Sequence, residues 1–437
     1  MIKAQPIHGV SDYEESCGAK GQVQMKKVLV IGYVWPEPNS SAAGSHMLSI
    51  LRAYTDQGWQ VEFASPAQPT EHMIDLSEEG IVSRKIVLNC DSFDAYVMDY
   101  QPDIVMFDRF MMEEQFGWRV EEICPQAVRI LDTEDLQFLR RARHQAVKAG
   151  REMTTADLFC DLAKREIAAI LRCDLSLIIS SYEWELLIDI FKVDASLLYH
   201  LPFMVALQTC PLKTRGFMAR KHFMTIGNFR HAPNWDMVLS LQTLWPAIKK
   251  QLPEAECHIY GAYPPPKATA LHNENTGFLI KGWAENVFTT MEQYRLCLAP
   301  IRFGAGIKGK LLDAMIMQTP SVTTRLGCEG MYQDEPWPGE IVDDFTEFAS
   351  VAVNLYQNEV AWKQAQQDGN ALLHARYDGE VLAAGLIDKI MHVIEGLPQL
   401  RLNNFTGAML RHHSMKSTKY MSQWIAAKNS DKNPNVK

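Results

Sequence analysis

At 437 residues the chain is too long for a single hydrophobic core and suits two domains. Its 47% hydrophobic and 22% charged residues are ordinary for a globular protein, and a net charge of −9 argues against bulk nucleic-acid binding while allowing a local basic pocket. Nine cysteines, odd in number and without a Cys-x-x-Cys pair, read as reduced thiols of a cytoplasmic protein, and no apolar run reaches the roughly 18–20 residues that span a bilayer.

Residues 1–25 are polar, carry several glycines and lack a signal-peptide apolar segment, so they read as a flexible extension. Residues 26–209 form the first expected unit. Val28-Leu29-Val30-Ile31-Gly32 is a buried strand opening onto a long loop, Trp35–Ser45. A helical pattern over His46–Tyr54 and a strand at Val61–Ala64 complete a βαβ opening. Gly32 and Gly44 are too far apart for a Gly-x-Gly-x-x-Gly turn, which excludes a typical nicotinamide-binding fingerprint. Ile86–Leu88, Ile104–Phe107 and Val128–Leu131 read as further parallel strands. Asp108-Arg109 and Asp132-Thr133-Glu134-Asp135 follow two of them, at the C-terminal strand ends where open α/β sheets place ligands. Two readings of these acids stand. Asp132 or Thr133 caps a helix starting near Leu136, or a carboxylate faces a cleft to bind a hydroxyl or accept its proton. Arg140, Arg141 and Arg143 follow, as partners of the acids or as a solvated face. The aromatic and Met residues of Phe107–Trp118 suit core packing and leave a peripheral membrane contact open. A helix over Leu158–Leu171, a strand ending at Ser180-Ser181, a helix over Tyr182–Phe191 and a strand at Leu197–Pro202 close this unit. Residues 210–222, polar and basic, are the expected linker.

The second unit, 223–400, restarts the pattern. Phe223–Gly227 is a strand into the loop Asn228–Asn234. Trp235–Lys249 is a helix, Glu256–Tyr260 a strand, and Phe278–Ile280 a strand before Lys281-Gly282-Trp283. Leu296–Leu298 then runs into Gly304, Gly306 and Gly309, a loop with little side-chain bulk, and Leu311–Met317 reads as a helix. A helix N-terminus exposes unpaired amides and partial positive charge, and Lys308 and Lys310 deepen that potential, so this is a place for a phosphate. Lys310 and Asp313 share a helix face, a cation for a diphosphate beside a carboxylate for ribose hydroxyls. A βαβ turn with solvated lysines is the plainer alternative. Residues 401–437 read as a tail whose helix closes across both units. His412-His413 lack metal-ligand spacing, and no metal site is expected. The fold class is α/β, two Rossmann-like doubly wound domains facing across a cleft.

The pattern resembles the GT-B glycosyltransferases, and the second half is similar to glycosyltransferase family four, the "group 1" transferases. The resemblance covers residues 26–400 at fold level and is most specific over 223–331. Thr225-Ile226-Gly227-Asn228-Phe229-Arg230 resembles the family's strand–Gly–x–x–Arg turn, Lys281-Gly282-Trp283 its x-Gly-Trp/Tyr turn, and Phe303–Met315 its loop and helix with Lys three before the acid. Gly327–Gly330 matches a following Gly-x-Glu-Gly. In the first half Ser40–Gly44 and Asp132–Arg140 look like segments of bacterial members. The resemblance implies that Arg230 and Lys310 hold a donor diphosphate and Asp313 the ribose. It places Gly304, Ala305, Gly306, Ile307 and Lys308 near the sugar and phosphates, Gly227 and Gly282 in donor-side turns, and Gly44 on the opposite wall. Asp132, Glu134 or Asp135 is the candidate acceptor base. Where the family has two glutamates with seven residues between them, this chain has Ala305 and Asp313, and Gln318-Thr319-Pro320 departs from Gly-x-Pro. The implied activity is retaining, metal-independent transfer of a sugar from a nucleotide-sugar donor to a glycan, lipid-linked or other glycoconjugate acceptor, without a cofactor. A nucleotide-sugar epimerase or hydrolase and a non-catalytic nucleotide- or glycan-binding protein are the alternatives.

Overall fold

The computed structural model describes residues 25–211 and 214–432. The expected extension thus lies outside the described residues except for Met25, as do two residues of the linker. Two wholly parallel sheets, each covered by helices, organise the chain. The first contains β1 (Lys27–Ile31), β2 (Gln60–Ser65), β3 (Val82–Lys85), β4 (Ile104–Asp108), β5 (Val128–Asp132), β6 (Leu175–Ile178) and β7 (Leu198–His200). Their order is β3-β2-β1-β4-β5-β6-β7. The second contains β8 (Lys221–Ile226), β9 (Cys257–Tyr260), β10 (Phe278–Gly282), β11 (Tyr294–Ala299), β12 (Ser321–Thr323) and β13 (Gly339–Ile341), in the order β10-β9-β8-β11-β12-β13. Both orders reverse beside the first strand of the sheet, between β1 and β4 and between β8 and β11, and open sheets bind ligands outside such switch points.

The central strands are apolar runs because both of their faces are covered. Val28 to Ile31 and Ile104 to Phe107 are fully buried. β1 pairs in register with β4, Ile31 opposite Phe107, so that Gly32 and Asp108 leave the sheet side by side. β3 falls earlier than expected, at Val82–Lys85 rather than Ile86–Leu88. It is an edge strand, and its exposed polar residues give no apolar signal.

The expected boundary at residue 400 shifts. The helix Gly379–Asn403 carries Leu386, Ile390 and Val393 into one apolar cluster with Val28, Val30 and Met47 of the first domain. The tail helix Phe405–Lys432 likewise packs on the first-domain helices Phe110–Ile123 and Asp161–Arg172 instead of closing across both units. Arg401 fixes the crossing, donating to Asp174 at 2.8 and 2.7 Å, and Asn404 Nδ2 donates to Leu171 O at 2.7 Å. No described helix is long and apolar enough to cross a membrane. The described cysteines are all free.

Candidate active site

A cleft of about 1390 Å³ lies between the C-terminal edges of the two sheets. Two helix N-termini meet in it, one from each domain. Ser41 caps the helix Ala42–Asp56, its Oγ accepting from Gly44 N at 3.1 Å. Opposite it the helix Gly309–Ile316 begins without a side-chain cap. At Gly309 a Cβ would stand 2.4 Å from Ala42 Cβ, so only glycine permits this approach. Two positive helix ends converging on one space suit a doubly charged anion.

Lys310 and Lys308 stand at this junction. Lys310 Nζ donates to Asn234 Oδ1 at 2.5 Å, and burial lowers its pKa to about 8. Lys308 Nζ donates to Gly306 O at 2.7 Å and Ala305 O at 3.3 Å, and its pKa is lowered by burial as well. Asp313, one turn along from Lys310, lines the same cleft, and burial pushes its carboxyl up to about 7 against the pull of Lys310. Gly227, Gly304, Ala305, Gly306 and Ile307 also line it.

Four expected site residues, Arg230, Gly282, Gly44 and Asp132, lie off the cleft wall. Arg230 is exposed and absent from the cleft wall: the turn points Asn228 and His231 inward, and the Arg230 guanidinium stacks 3.5 Å from the Tyr263 ring centroid. Gly282 is not on the wall either, but places Trp283 there, stacked at 4.2 Å on His72 of the first domain. Gly44 packs behind the helix end, where a Cβ would meet the Glu37 backbone at 2.5 Å.

The acids after β5 divide. Glu134 and Asp135 line the cleft, whereas Asp132 is buried behind it, accepting from Glu134 N at 3.2 Å. Burial and Asp108 push Asp132 up to about 7, and burial and Asp132 hold Glu134 well above the usual carboxylate range. Arg109 at the neighbouring strand end donates its backbone N–H to Asp132 O at 2.7 Å and lies with Nε 3.5 Å from Asp108 Oδ1. Burial alone would lower its pKa, but Asp108, Glu134, Asp135 and Asp132 outweigh it and raise it. Arg109 and Glu134 both have positive φ, at 69° and 60°. Two such non-glycine residues at neighbouring strand ends mark stored strain of the kind found at functional sites.

Neither Asp132 nor Thr133 caps the following helix, Gln137–Lys148. Carboxylates distant in sequence do so: Glu183 Oε1 accepts from Leu136 N at 3.1 Å, and Glu166 accepts from Gln137 N and Phe138 N, each at 3.0 Å. Glu183 Oε1 also accepts from Gly306 N of the second domain at 2.7 Å. Gly306 needs its freedom, having φ +62° and a hypothetical Cβ 2.9 Å from Asp135 Cβ. Arg143 completes the clamp, donating to Gly304 O at 2.9 Å and to both Glu329 oxygens at 2.7 and 2.8 Å. Ala305, where the resembling family has a carboxylate, is instead packed into the first-domain apolar cluster. His46, at the cleft end of its helix, is buried edge-on to Phe203 with both ring nitrogens unpartnered, and burial lowers its pKa to about 4.

Sequence reasoning missed Asn234, His46, Arg143 and Glu183. Their partners are distant in sequence, and only the long loops and the crossing of two sheets bring them together. Arg109 carried a visible signal, a charge pair at a strand end, but no indication of its role. Among the described residues no group of three or more His, Cys, Asp or Glu side chains is arranged to hold a metal ion.

Two doubly wound domains with a phosphate-type site at the junction define the GT-B architecture of glycosyltransferases. Residues 220–358 match the family model described as "Glycosyl transferases group 1". The chain is similar to Staphylococcus aureus TarM, solved with fondaparinux, α-GlcNAc-glycerol and UDP: 11% identity, TM-score 0.65, 85% of this chain and 100% of that one covered. A sucrose-phosphate synthase from Thermosynechococcus elongatus gives 14%, 0.63, 85% and 100%, and Anabaena HepE with UDP and glucose gives 12%, 0.63, 84% and 100%. Among curated protein sequences none matches the chain. The family match thus falls on the second domain, and the solved structures share the fold of both domains.

Proposed function

We propose that the protein transfers a sugar, with retention of anomeric configuration and without a metal ion, from a nucleotide-sugar donor to a glycan or glycoconjugate acceptor. The observation that carries this is the meeting of two helix N-termini with Lys310 and Lys308 at the switch point of the donor-side sheet. Breaking a sugar–diphosphate bond leaves negative charge on the departing phosphate. Preorganised amides and an ammonium group in a partly desolvated cleft stabilise that charge without reorganising during the reaction. Lys310, oriented by Asn234, takes the diphosphate, and Asp313 takes the ribose hydroxyls. The loop 304–306 offers backbone groups to the sugar in place of the carboxylate that Ala305 lacks. Glu134 and Asp135, on the facing wall, meet the acceptor hydroxyl. In this resting geometry Arg230 has no part in the diphosphate site, because its cation is engaged with Tyr263.

A thermal-shift panel of nucleotide sugars names the donor, and transfer to an acceptor panel follows with Lys310→Ala as control. Release of free sugar at the same rate with and without acceptor would assign hydrolysis instead, and binding without turnover would assign a binding protein.

A further inference from the structure

The tail helix Phe405–Lys432 buries one side against the first domain and leaves the other open. On the buried side Ser422 Oγ accepts from Arg119 Nη2 at 3.0 Å, and a Cβ on Gly407 would stand 2.0 Å from Leu171 O. On the open side four large apolar side chains stand among the exposed polar Thr406, Ser417 and Gln423: Phe405 is 70% exposed, Tyr420 63% and Trp424 59%, with Met409 between them. At 100° per residue these four fall within about 100° of one helix face, and they span about 28 Å along it. Four large apolar groups in one stripe are more than the scattered exposed hydrophobics of an ordinary surface.

Charge says what covers the stripe. In a chain of net charge −9, residues 402–437 carry six basic residues against the single acid Asp431; Arg411 and Lys419 pair with Glu121 and Glu122 of the first domain, and the other four are Lys416, Lys428, Lys432 and Lys437. Lys428 Nζ lies 4.9 Å over the Trp424 ring, at the edge of the stripe. Trp and Tyr favour the polar–apolar boundary of a bilayer, and flanking lysines favour anionic headgroups. A second copy docking helix to helix would bring two basic tails together, which like-charge repulsion opposes. We propose that this face docks the protein onto an anionic phospholipid surface, the helix lying in the interfacial plane. The inference is independent of the sugar-transfer reading.

The test is co-sedimentation of the full chain with vesicles of phosphatidylcholine alone and of phosphatidylcholine with about one-third phosphatidylglycerol. Partitioning is expected onto the anionic vesicles, weakening as salt rises. Phe405→Ser/Tyr420→Ser/Trp424→Ser should lower partitioning at least tenfold with an unchanged melting temperature, since the substituted positions face away from the first domain. Lys428→Glu should lower it about fivefold or more, the effect of one basic residue near such a surface. Failure to bind anionic vesicles, or equal binding by the triple variant, overturns the proposal. So does a wild-type dimer in light scattering that the triple variant converts to monomer.

Discussion

Gly309→Ala adds one methyl group where the domains approach each other beside the diphosphate position. The new Cβ would lie 2.4 Å from Ala42 Cβ, whereas ordinary contact begins at 3.4 Å, so the domains must retreat by about 1 Å or bear the overlap. Overpacking of this kind costs about 1–3 kcal/mol. The second domain itself is not weakened, because alanine is the better helix former. The cost therefore falls on closure, and a change of about 1–3 kcal/mol is roughly 5- to 150-fold in the closed population. Turnover should fall by that factor while the melting temperature stays within about 2 °C, and X-ray scattering should report a larger radius of gyration. Ala42→Gly in the same chain removes the opposing methyl and should restore turnover to within about threefold, while glycine in that helix costs about 0.5–1 kcal/mol of folding stability. Wild-type turnover by Gly309→Ala alone, or no rescue by Ala42→Gly, would refute the idea that this junction must close.

Lys310→Met should lower kcat by about 10²–10³-fold, roughly 3–4 kcal/mol of lost charge stabilisation, whereas Arg230→Ala should stay within about threefold in the same assay. Calorimetric affinity for a nucleoside diphosphate should fall as pH rises through about 8, where Lys310 loses its proton, and Lys310→Arg should remove that inflection. Asp313 has a folded pKa raised to about 7 from 3.8, so its contribution to stability is full below about pH 4 and lost as pH rises through about 7. Asp313→Asn should therefore gain about 0.5–2 kcal/mol over wild type in denaturant melts at pH 8 and nothing at pH 4, with weakened nucleotide binding. Breaking the Arg143–Glu329 pair from one side leaves a charge without its partner. The double variant Arg143→Met/Glu329→Gln should thus cost less turnover than the sum of its two single variants, with a coupling of at least about 1 kcal/mol; strict additivity would contradict the clamp.

Much of the architecture was legible because doubly wound sheets write themselves locally. β1, β4, β5, β8 and β11 are apolar runs ending in glycine, acid or proline, and the helices between them keep a helical period. The glycine–lysine stretch was legible for the same reason, since a strand end, a flexible loop and a helix start follow one another in sequence. What stayed hidden depends on distance along the chain. Nothing near Gln137 shows that Glu166 and Glu183 hold the amides at that helix start, so a cap from the nearby Asp132 or Thr133 stays open as one of two readings of those acids. Arg143 reads equally as a partner of the nearby acids or as a solvated face, because its actual partner Glu329 is 186 residues away. The turn at Asn228–His231 fixes the direction of Arg230, and sequence spacing does not resolve which of its side chains point inward. Leu386 and Ile390 announce a buried helix face but not which domain receives it.

Sugar transfer is decided by assaying a nucleotide-sugar panel with the wild-type chain and with Lys310→Ala, nucleotide affinity being measured on both. An acceptor-dependent product of retained configuration is expected from at least one donor, with a loss of about 10²-fold or more in kcat on removing the Lys310 amine. Wild-type turnover by Lys310→Ala would contradict the proposed function, as would product of inverted configuration or nucleotide binding unaffected by every substitution at the junction of the two helix ends.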